Sequence, residues 1–298
     1  MSCAEEPPSP AFAGASPRGE RSRSVLNQIF PPWGKYRPKG GDGGSASGLV
    51  LVRIPTYAAA MITALANPQR FLGFSRWAAP LLGALAAVLL TAGLWLSFSA
   101  PPDYQQGDTV RILFVHVPAA ELSLFAYVCL AGASFFGLVF RHALADAAAR
   151  AAAPLGAGFT ALALVTGSIW GKPMWGAWWV WDPRLTSELI LLLFYLGYMA
   201  LQAAIEEEAK ADRACAILAL VGAINVPIVH FSVVWWNSLH QGESIFTSKG
   251  PLLAGVYLWP WGLMTFGYLC LFGSLWLVRT RAEIWRRRAR SLALRAAA

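Results

Sequence analysis

The sequence predicts an all-α, polytopic membrane protein with six transmembrane helices and a short tryptophan-rich interfacial helix in the second outer loop. Three observations carry that expectation. Of 298 residues, 56% are hydrophobic and only 13% are charged, whereas soluble domains run at roughly 45–50% apolar and ~25% charged. The charges gather at the two ends of the chain and in short gaps between apolar runs about as long as a ~30 Å hydrocarbon core requires. None of those runs alternates in polarity as the roughly 10-residue strands of a membrane barrel would, so helices are left to satisfy the backbone inside lipid.

The six runs lie at 77–98 (WAAPLLGALAAVLLTAGLWLSF), 118–140, 152–170, 186–204, 214–234 and 252–278. Ahead of them, residues 1–60 are rich in Pro, Gly, Ser and Arg and hold too little apolar surface to fold alone, so a disordered N-terminal extension is expected. It has no apolar h-region with a small-residue cleavage site, and Glu5, Glu6, Glu20 and Asp42 argue against a transit peptide. The abrupt change of composition makes Met61 a candidate start of the natural protein, with 61–280 the membrane domain and 281–298 a basic tail.

A pI near 9.6 and a net charge of +8 do not point to nucleic acid, because the 24 Lys and Arg are distributed by gap. With the N-terminus in the cytoplasm, 20 of them fall on the inner side; Arg111, Lys172, Arg184 and Lys249 fall outside. This is the positive-inside pattern, and it places both termini in the cytoplasm. Cys3, Cys129, Cys215 and Cys270 form no C-x-x-C, and three of them sit in or beside apolar runs, as small buried hydrophobes do. Without C-x-x-C-H the chain cannot hold haem covalently in the c-type manner.

The outer loops, about 99–117, 171–185 and 235–251, contain what is unusual. In WGKPMWGAWWVWDPRLTSE, five tryptophans (Trp170, Trp175, Trp178, Trp179 and Trp181) precede Asp182, Pro183 and Arg184. Pro173 and Pro183 bracket ten residues, and proline suits a first helical turn while disfavouring helix just before it, so a short helix at 173–182 is expected. At ~100° per residue, Trp175, Trp178, Trp179, Trp181 and Asp182 would share an arc of about 160°. An interfacial belt spreads single tryptophans over many helix ends, whereas this concentration makes a platform for a large flat ligand.

Of the four histidines, His142 falls in the inner RHALAD gap as a solvated loop residue. His116 stands two residues before Pro118, which is expected to open the second helix, and His230 falls about one turn inside the outer end of the fifth. The two sit at similar depth on one side of the membrane, where ionisable residues are functional candidates. His240, in WWNSLHQG, lies further out on its loop and is the weaker candidate. Two imidazoles with stacked aromatics suit an iron porphyrin, the nitrogens taking the axial positions. Arg111, Lys172 and Arg184 are the nearby cations that could meet its carboxylates, with Arg184 equally suited to pairing with Asp182. A zinc site would need three or four ligands, and the scattered acids show no such spacing. Glu121, a few residues after Pro118, is explained by the helix dipole.

These residues resemble a known family. Trp170 to Glu188 is similar to the tryptophan-rich (WWD) signature of the haem-handling proteins of bacterial cytochrome c biogenesis. With RILFVHVPAA before the second helix and NVPIVHFSVVWWNSLHQG in the fifth, the pattern over about 70–278 resembles that of the haem exporter protein C family. The resemblance implies a six-helix protein of the bacterial inner membrane that binds haem b at its periplasmic face and presents it to a membrane-anchored haem chaperone. Its axial histidines would be His116 and His230, and its tryptophan-rich region 170–186. Its partners would be a small single-helix subunit and the ATPase and permease subunits of an ABC transporter. Pro183 and Glu121 depart from the family pattern, and residues 1–60 have no counterpart in it. No dedicated catalytic acid, base or nucleophile stands out, so the expected role is transport of haem and not catalysis. The alternative is a bis-histidine b-type electron carrier, whose haem would be buried deep between spans; a transporter scaffold without haem is the third reading.

Overall fold

Helix α1 (Pro68–Ser99) starts where Asn67 caps it: the side-chain oxygen accepts from the Gln69 N–H at 2.9 Å, and Pro68 takes the first helical position, where the missing N–H has no intrahelical partner anyway. The computed structural model describes residues 67–236, 238–240 and 253–297, all within one compact unit. The expectations for 1–60 and Met61, Lys249 and most of the third outer loop lie outside the described residues.

After α1 come a 3-10 turn at Asp108–Ile112, α2 (Leu113–Phe140), α3 (Ala143–Trp175), α4 (Pro183–Ala204), α5 (Glu208–Gly222), α6 (Asn225–Trp235) and α7 (Gly255–Ala297). Six segments are long and apolar enough to cross a membrane, with α5 and α6 together making the fifth, and the described residues form no strand. The six-helix expectation is met, and every span extends beyond its apolar run.

Two of the extensions have clear causes. Pro118 does not open α2 but lies inside it, five residues after Leu113, so His116 sits in the first turn of a helix already under way. Glu121 is therefore two turns in, too deep for the N-terminal dipole to explain it, and its Oε2 accepts a hydrogen bond from Thr265 Oγ1 of α7 at 3.1 Å. The fifth span breaks between α5 and α6 because Pro227 has no N–H to give the Ala223 carbonyl; that carbonyl instead accepts from Val226 at 3.2 Å. At the inner gap, Arg141 adopts a left-handed φ of 52° and His142 caps α3, its Nδ1 accepting from the Ala145 N–H at 3.2 Å. His142 is thus a helix cap and not a solvated loop residue.

The short helix expected at 173–182 is not formed. Helix α3 runs through Pro173, near its last turn, and stops after Trp175 because Gly176 takes φ 77°, returning its N–H to the Lys172 carbonyl at 3.1 Å. The chain then runs without helix to Asp182, which caps α4, and Pro183 becomes the first residue of α4 and not a bracket behind a Trp helix. Two prolines ten residues apart are compatible with the ends of one element, but here they lie in the helices that flank a loop.

Two apolar clusters hold the bundle, and α2 and α3 serve both. Phe114, Leu122 and Ala126 of α2 and Phe159 of α3 pack with Met264, Tyr268 and Phe272 of α7. Tyr127 and Leu130 of α2 and the alanines of α3 (Ala149, Ala152, Ala153) pack with Leu191, Tyr195 and Tyr198 of α4 and Cys215 and Ala219 of α5. Helix α1 lies against α7, joined by Ser274 Oγ donating to the Ala79 carbonyl at 2.8 Å. Cys129, Cys215 and Cys270 are free and at least half-buried, as expected of small hydrophobes.

The spans alternate in direction, so their ends collect in two groups. At one end Trp170 Nε1 donates to Gln106 Oε1, Tyr257 Oη donates to the Pro101 carbonyl, and Ser238 reaches Asp182. At the other, Arg150 of α3, Asp212 of α5 and Glu283 and Arg287 of α7 form one ion-pair network. The tryptophan motif and the arginine-rich tail therefore occupy opposite ends.

Candidate functional site

Helices α2 and α3 pack closely enough at Gly167 that a Cβ there would stand 3.0 Å from His116 Cε1. The close approach lets α3 grip the imidazole: His116 Nδ1 is 3.0 Å from the Ala163 carbonyl and 3.1 Å from Thr166 Oγ1. A carbonyl can only accept, so Nδ1 carries the proton and Nε2 keeps its lone pair. That is the arrangement of a metal-ligating histidine whose other nitrogen is held by the protein. Trp170, one turn beyond Thr166 on α3, stands edge-on to the His116 ring at 5.6 Å.

His240 shares a small cavity with His116, Arg184 and Glu188. Its position is set by Asp182, which is 6% exposed. Asp182 Oδ1 accepts from the backbone N–H groups of Arg184 at 2.8 Å and Leu185 at 3.2 Å, capping α4. Its Oδ2 accepts from Ser238 Oγ at 2.5 Å and the Leu239 N–H at 3.0 Å, tying the third outer loop to the second. His240 Nδ1 lies 3.2 Å from Asp182 Oδ1, close to the carboxylate but off the hydrogen-bond line. Trp175 stands edge-on to the His240 ring at 4.9 Å.

The electrostatics keep this pair poised. Burial would raise the Asp182 carboxyl, but the bonds from Ser238, Leu185 and Leu239 and the nearby His240 outweigh it and hold the group below the ordinary carboxylate value. For His240, burial lowers the imidazole and Arg184 lowers it further, while Asp182 partly restores it; the net shift is downward. A neutral imidazole is the ligating form.

The expected site residues separate accordingly. His116, Arg184, Trp170, Trp175 and Asp182 lie in or beside one site. His230 does not join them: it is exposed on α6, packs edge-on against Phe231 at 4.6 Å and does not line the cavity. Arg111 pairs with Asp108 at 3.1 Å and donates to the Ala100 carbonyl. Lys172 donates to the Gly176 carbonyl at 3.0 Å, closing the end of α3. Arg184 meets Asp182 through its backbone N–H, and no ion pair joins their side chains. Trp179 and Trp181 pack edge to face at 5.5 Å, and Trp178 and Trp181 are 59% and 77% exposed.

Sequence reasoning gave no role to Glu188. It is buried in the cavity wall, and its Oε1 accepts from Ser123 Oγ of α2 at 2.7 Å, while Tyr195 Oη donates to the Ser123 carbonyl at 2.8 Å. The signal was its place one turn after Arg184 in PRLTSE, on the same helix face. No group of three His, Cys, Asp or Glu among the described residues could hold a metal ion by itself.

The donor set fits a haem iron: two imidazoles, one with Nδ1 held by protein acceptors and one beside a carboxylate, with one arginine and indole faces. The cavity between the rings, about 30 Å³, is far below the roughly 300–1,000 Å³ that encloses a drug-sized ligand. This cavity does not by itself enclose a porphyrin, and Trp178 and Trp181 are the exposed indole faces of the neighbouring loop. Trp179 Nε1, buried without a partner among the described residues, is one donor available there.

Residues 61–295 match the model of the family described as heme exporter protein C. A heme exporter protein C of Bradyrhizobium diazoefficiens is 54% identical over 228 residues, 76% of this chain and 87% of the relative. Those of Escherichia coli K12 and Paracoccus denitrificans are 48% identical over 219 residues and 46% over 231. These alignments cover 73% and 77% of this chain and 88% and 96% of the respective relatives.

Proposed function

The chain belongs to the heme exporter protein C family, and from that premise we propose that it binds haem b at the periplasmic face of the bacterial inner membrane and delivers it to the haem chaperone of cytochrome c maturation. One observation carries the reading: His116 and His240 line a common cavity, His116 with Nδ1 held by the Ala163 carbonyl and His240 with Nδ1 3.2 Å from Asp182 Oδ1. We read the ligand pair as His116 and His240, where helix depth and the family resemblance lead to the expectation of His116 and His230. Arg184 meets one haem carboxylate, since its guanidinium lines the cavity without pairing to Asp182. Trp170 and Trp175 fix the two imidazole planes, and Trp178, Trp179 and Trp181 cover the macrocycle.

The two ligands are held differently, and this asymmetry suits a protein that must let its cargo go. His116 is built into the packed contact of α2 and α3, whereas His240 is carried by a loop whose described tether is Asp182. Release follows when the loop lifts His240 and leaves haem on a single fixed ligand, open to the chaperone's own histidine. A role in transport requires no catalytic group from this chain. The single-helix subunit and the ABC transporter subunits complete the assembly, and the charge distribution supports a cytoplasmic arginine-rich end.

The test is the absorption spectrum of the detergent-purified chain co-expressed with its chaperone, beside His116→Ala, His240→Ala and His230→Ala. The first two variants are expected to lose or shift the Soret band and the third to keep it. A band that depends on His230 and survives loss of His240 would restore the pair expected from depth. A colourless natural protein under all conditions would refute haem binding.

A further inference from the structure

At the end of the bundle away from the histidines, α3 and α7 enclose an open groove of about 420 Å³ lined by Arg150, Ala151, Arg279, Ala282, Glu283 and Arg286. We propose that this groove binds the phosphate of an anionic phospholipid headgroup. Its three guanidinium groups face one carboxylate, and Glu283 is already committed: it accepts from Arg150 at 3.1 Å, from Arg286 at 2.7 Å and from Arg287, outside the groove lining, at 2.8 Å. Among the lining groups this leaves a surplus of two positive charges, though Arg286 is also paired with Glu208, outside the lining, at 2.8 Å. Arg279 has no hydrogen bond or ion pair among the described residues and is exposed beside this surplus. Guanidinium forks are suited to phosphate oxygens.

The level of the groove in the membrane selects the occupant. Helix α7 has 43 residues, about 65 Å at ~1.5 Å per residue, twice the ~30 Å of hydrocarbon, so much of it must project beyond the bilayer. The charge places the exit: between Gly255 and Val278 α7 holds no charged residue, and Arg279 is the first of seven arginines. Leu275 and Val278, just below, are exposed as a lipid-facing surface, and Trp285, 55% exposed with Arg288 over its ring at 4.8 Å, stands just above. Trp276 Nε1 donates to the Ala148 carbonyl at 2.8 Å, fixing α3 and α7 in register so that Arg150 joins Arg279 at one level. A cationic cup continuous with an apolar wall fits an acidic headgroup with its acyl chains below, as basic pockets between spans do. A free phosphate would use only the cup, and a zwitterionic lipid would bring its own cation.

The full chain, delipidated in detergent, is titrated with short-chain phosphatidylglycerol, phosphatidylcholine and inorganic phosphate, with binding read by native mass spectrometry. The variants are Arg279→Glu and, as an equal change of net charge elsewhere on the same helix, Arg295→Glu. Phosphatidylglycerol is expected to bind the natural chain and Arg295→Glu alike and Arg279→Glu about tenfold or more weakly, with phosphatidylcholine weak throughout. Because Arg279 is exposed and unpaired among the described residues, its variant should keep the natural thermal midpoint in phosphatidylcholine; a binding loss accompanied by a fallen midpoint counts against the site. Equal binding by Arg279→Glu, equal loss in both variants, or equal affinity for phosphatidylcholine overturns the proposal. Inorganic phosphate competing as well as the lipid overturns the choice of lipid over free anion.

Discussion

The two oxygens of Asp182 divide their work, one capping α4 and the other holding Ser238 and Leu239. Asp182→Ala removes a cap worth about 0.5–2 kcal/mol and frees His240 at once, so it should lower the thermal midpoint and abolish the His240-dependent part of the Soret band. Asp182→Asn keeps one accepting oxygen and turns the other into an N–H donor, so it should hold either the cap or the loop tether and give a midpoint between those of the natural chain and Asp182→Ala; damage equal to that of Asp182→Ala would show that the two halves of the bond pattern do not act separately. Acid acts through the same pair. The folded-state value of His240 lies below that of an unfolded chain, so below about pH 6.5 the unfolded state takes up a proton that the folded state resists. Stability contributed by neutral His240 is then lost progressively until the pH reaches the depressed value. In the haem-free natural chain the thermal midpoint should fall over this window more steeply than in His240→Gln, and parallel curves would remove His240 as the cause. His116 was legible in the sequence because a helix-end histidine beside a proline stands out locally. His240 was not, because its partner Asp182 lies in another loop, and only the fold shows that contact. Depth along a helix, which favours His230, says nothing about the direction a side chain takes.

At the scale of elements, Gly176 decides where α3 stops and the tryptophan loop begins. Its φ of 77° is a conformation that a Cβ makes costly by about 1–2 kcal/mol. Gly176→Val should therefore displace the end of α3 and carry Trp175 away from His240, weakening haem retention several-fold in the absorption assay with helical content by circular dichroism unchanged. A variant with full haem occupancy would show that Trp175 is not positioned by this turn. Gly167→Ala is milder: His116 Cε1 stands 3.0 Å from the added methyl, so the ring must give by a few tenths of an ångström, and a shifted Soret band is expected before any loss of stability. Six spans could be read from composition because lipid imposes a length on each. The tryptophan loop could not, since proline near a helix end is compatible with starting a helix or lying close to its finish. What separates the two is whether Gly176 can close α3 against the Lys172 carbonyl, a backbone event that side-chain periodicity does not record.

For the whole molecule, the histidine end and the arginine end are built on different physics. The first holds few charges, at close quarters with aromatic rings; the second gathers them into a network in which Glu283 meets Arg150, Arg286 and Arg287, and Arg287 also meets Asp212. That network joins α3, α5 and α7, which the apolar clusters also join, so its loss should act on stability and not on the distant site. Glu283 is 8% exposed, and removing one partner of a buried ion pair typically costs about 3–5 kcal/mol because the remaining charges are left uncompensated. Arg286 is more exposed than Arg287 and is also paired with Glu208, so solvent screens part of the effect and the lower end of that range applies. Glu283→Gln should accordingly lower the thermal midpoint of the detergent-purified chain by several degrees, while the protein that remains folded shows the natural Soret band. Loss of the band at temperatures well below the midpoint would mean that the two ends are coupled through α3, the one helix that carries both Arg150 and the tryptophans beside the two histidines.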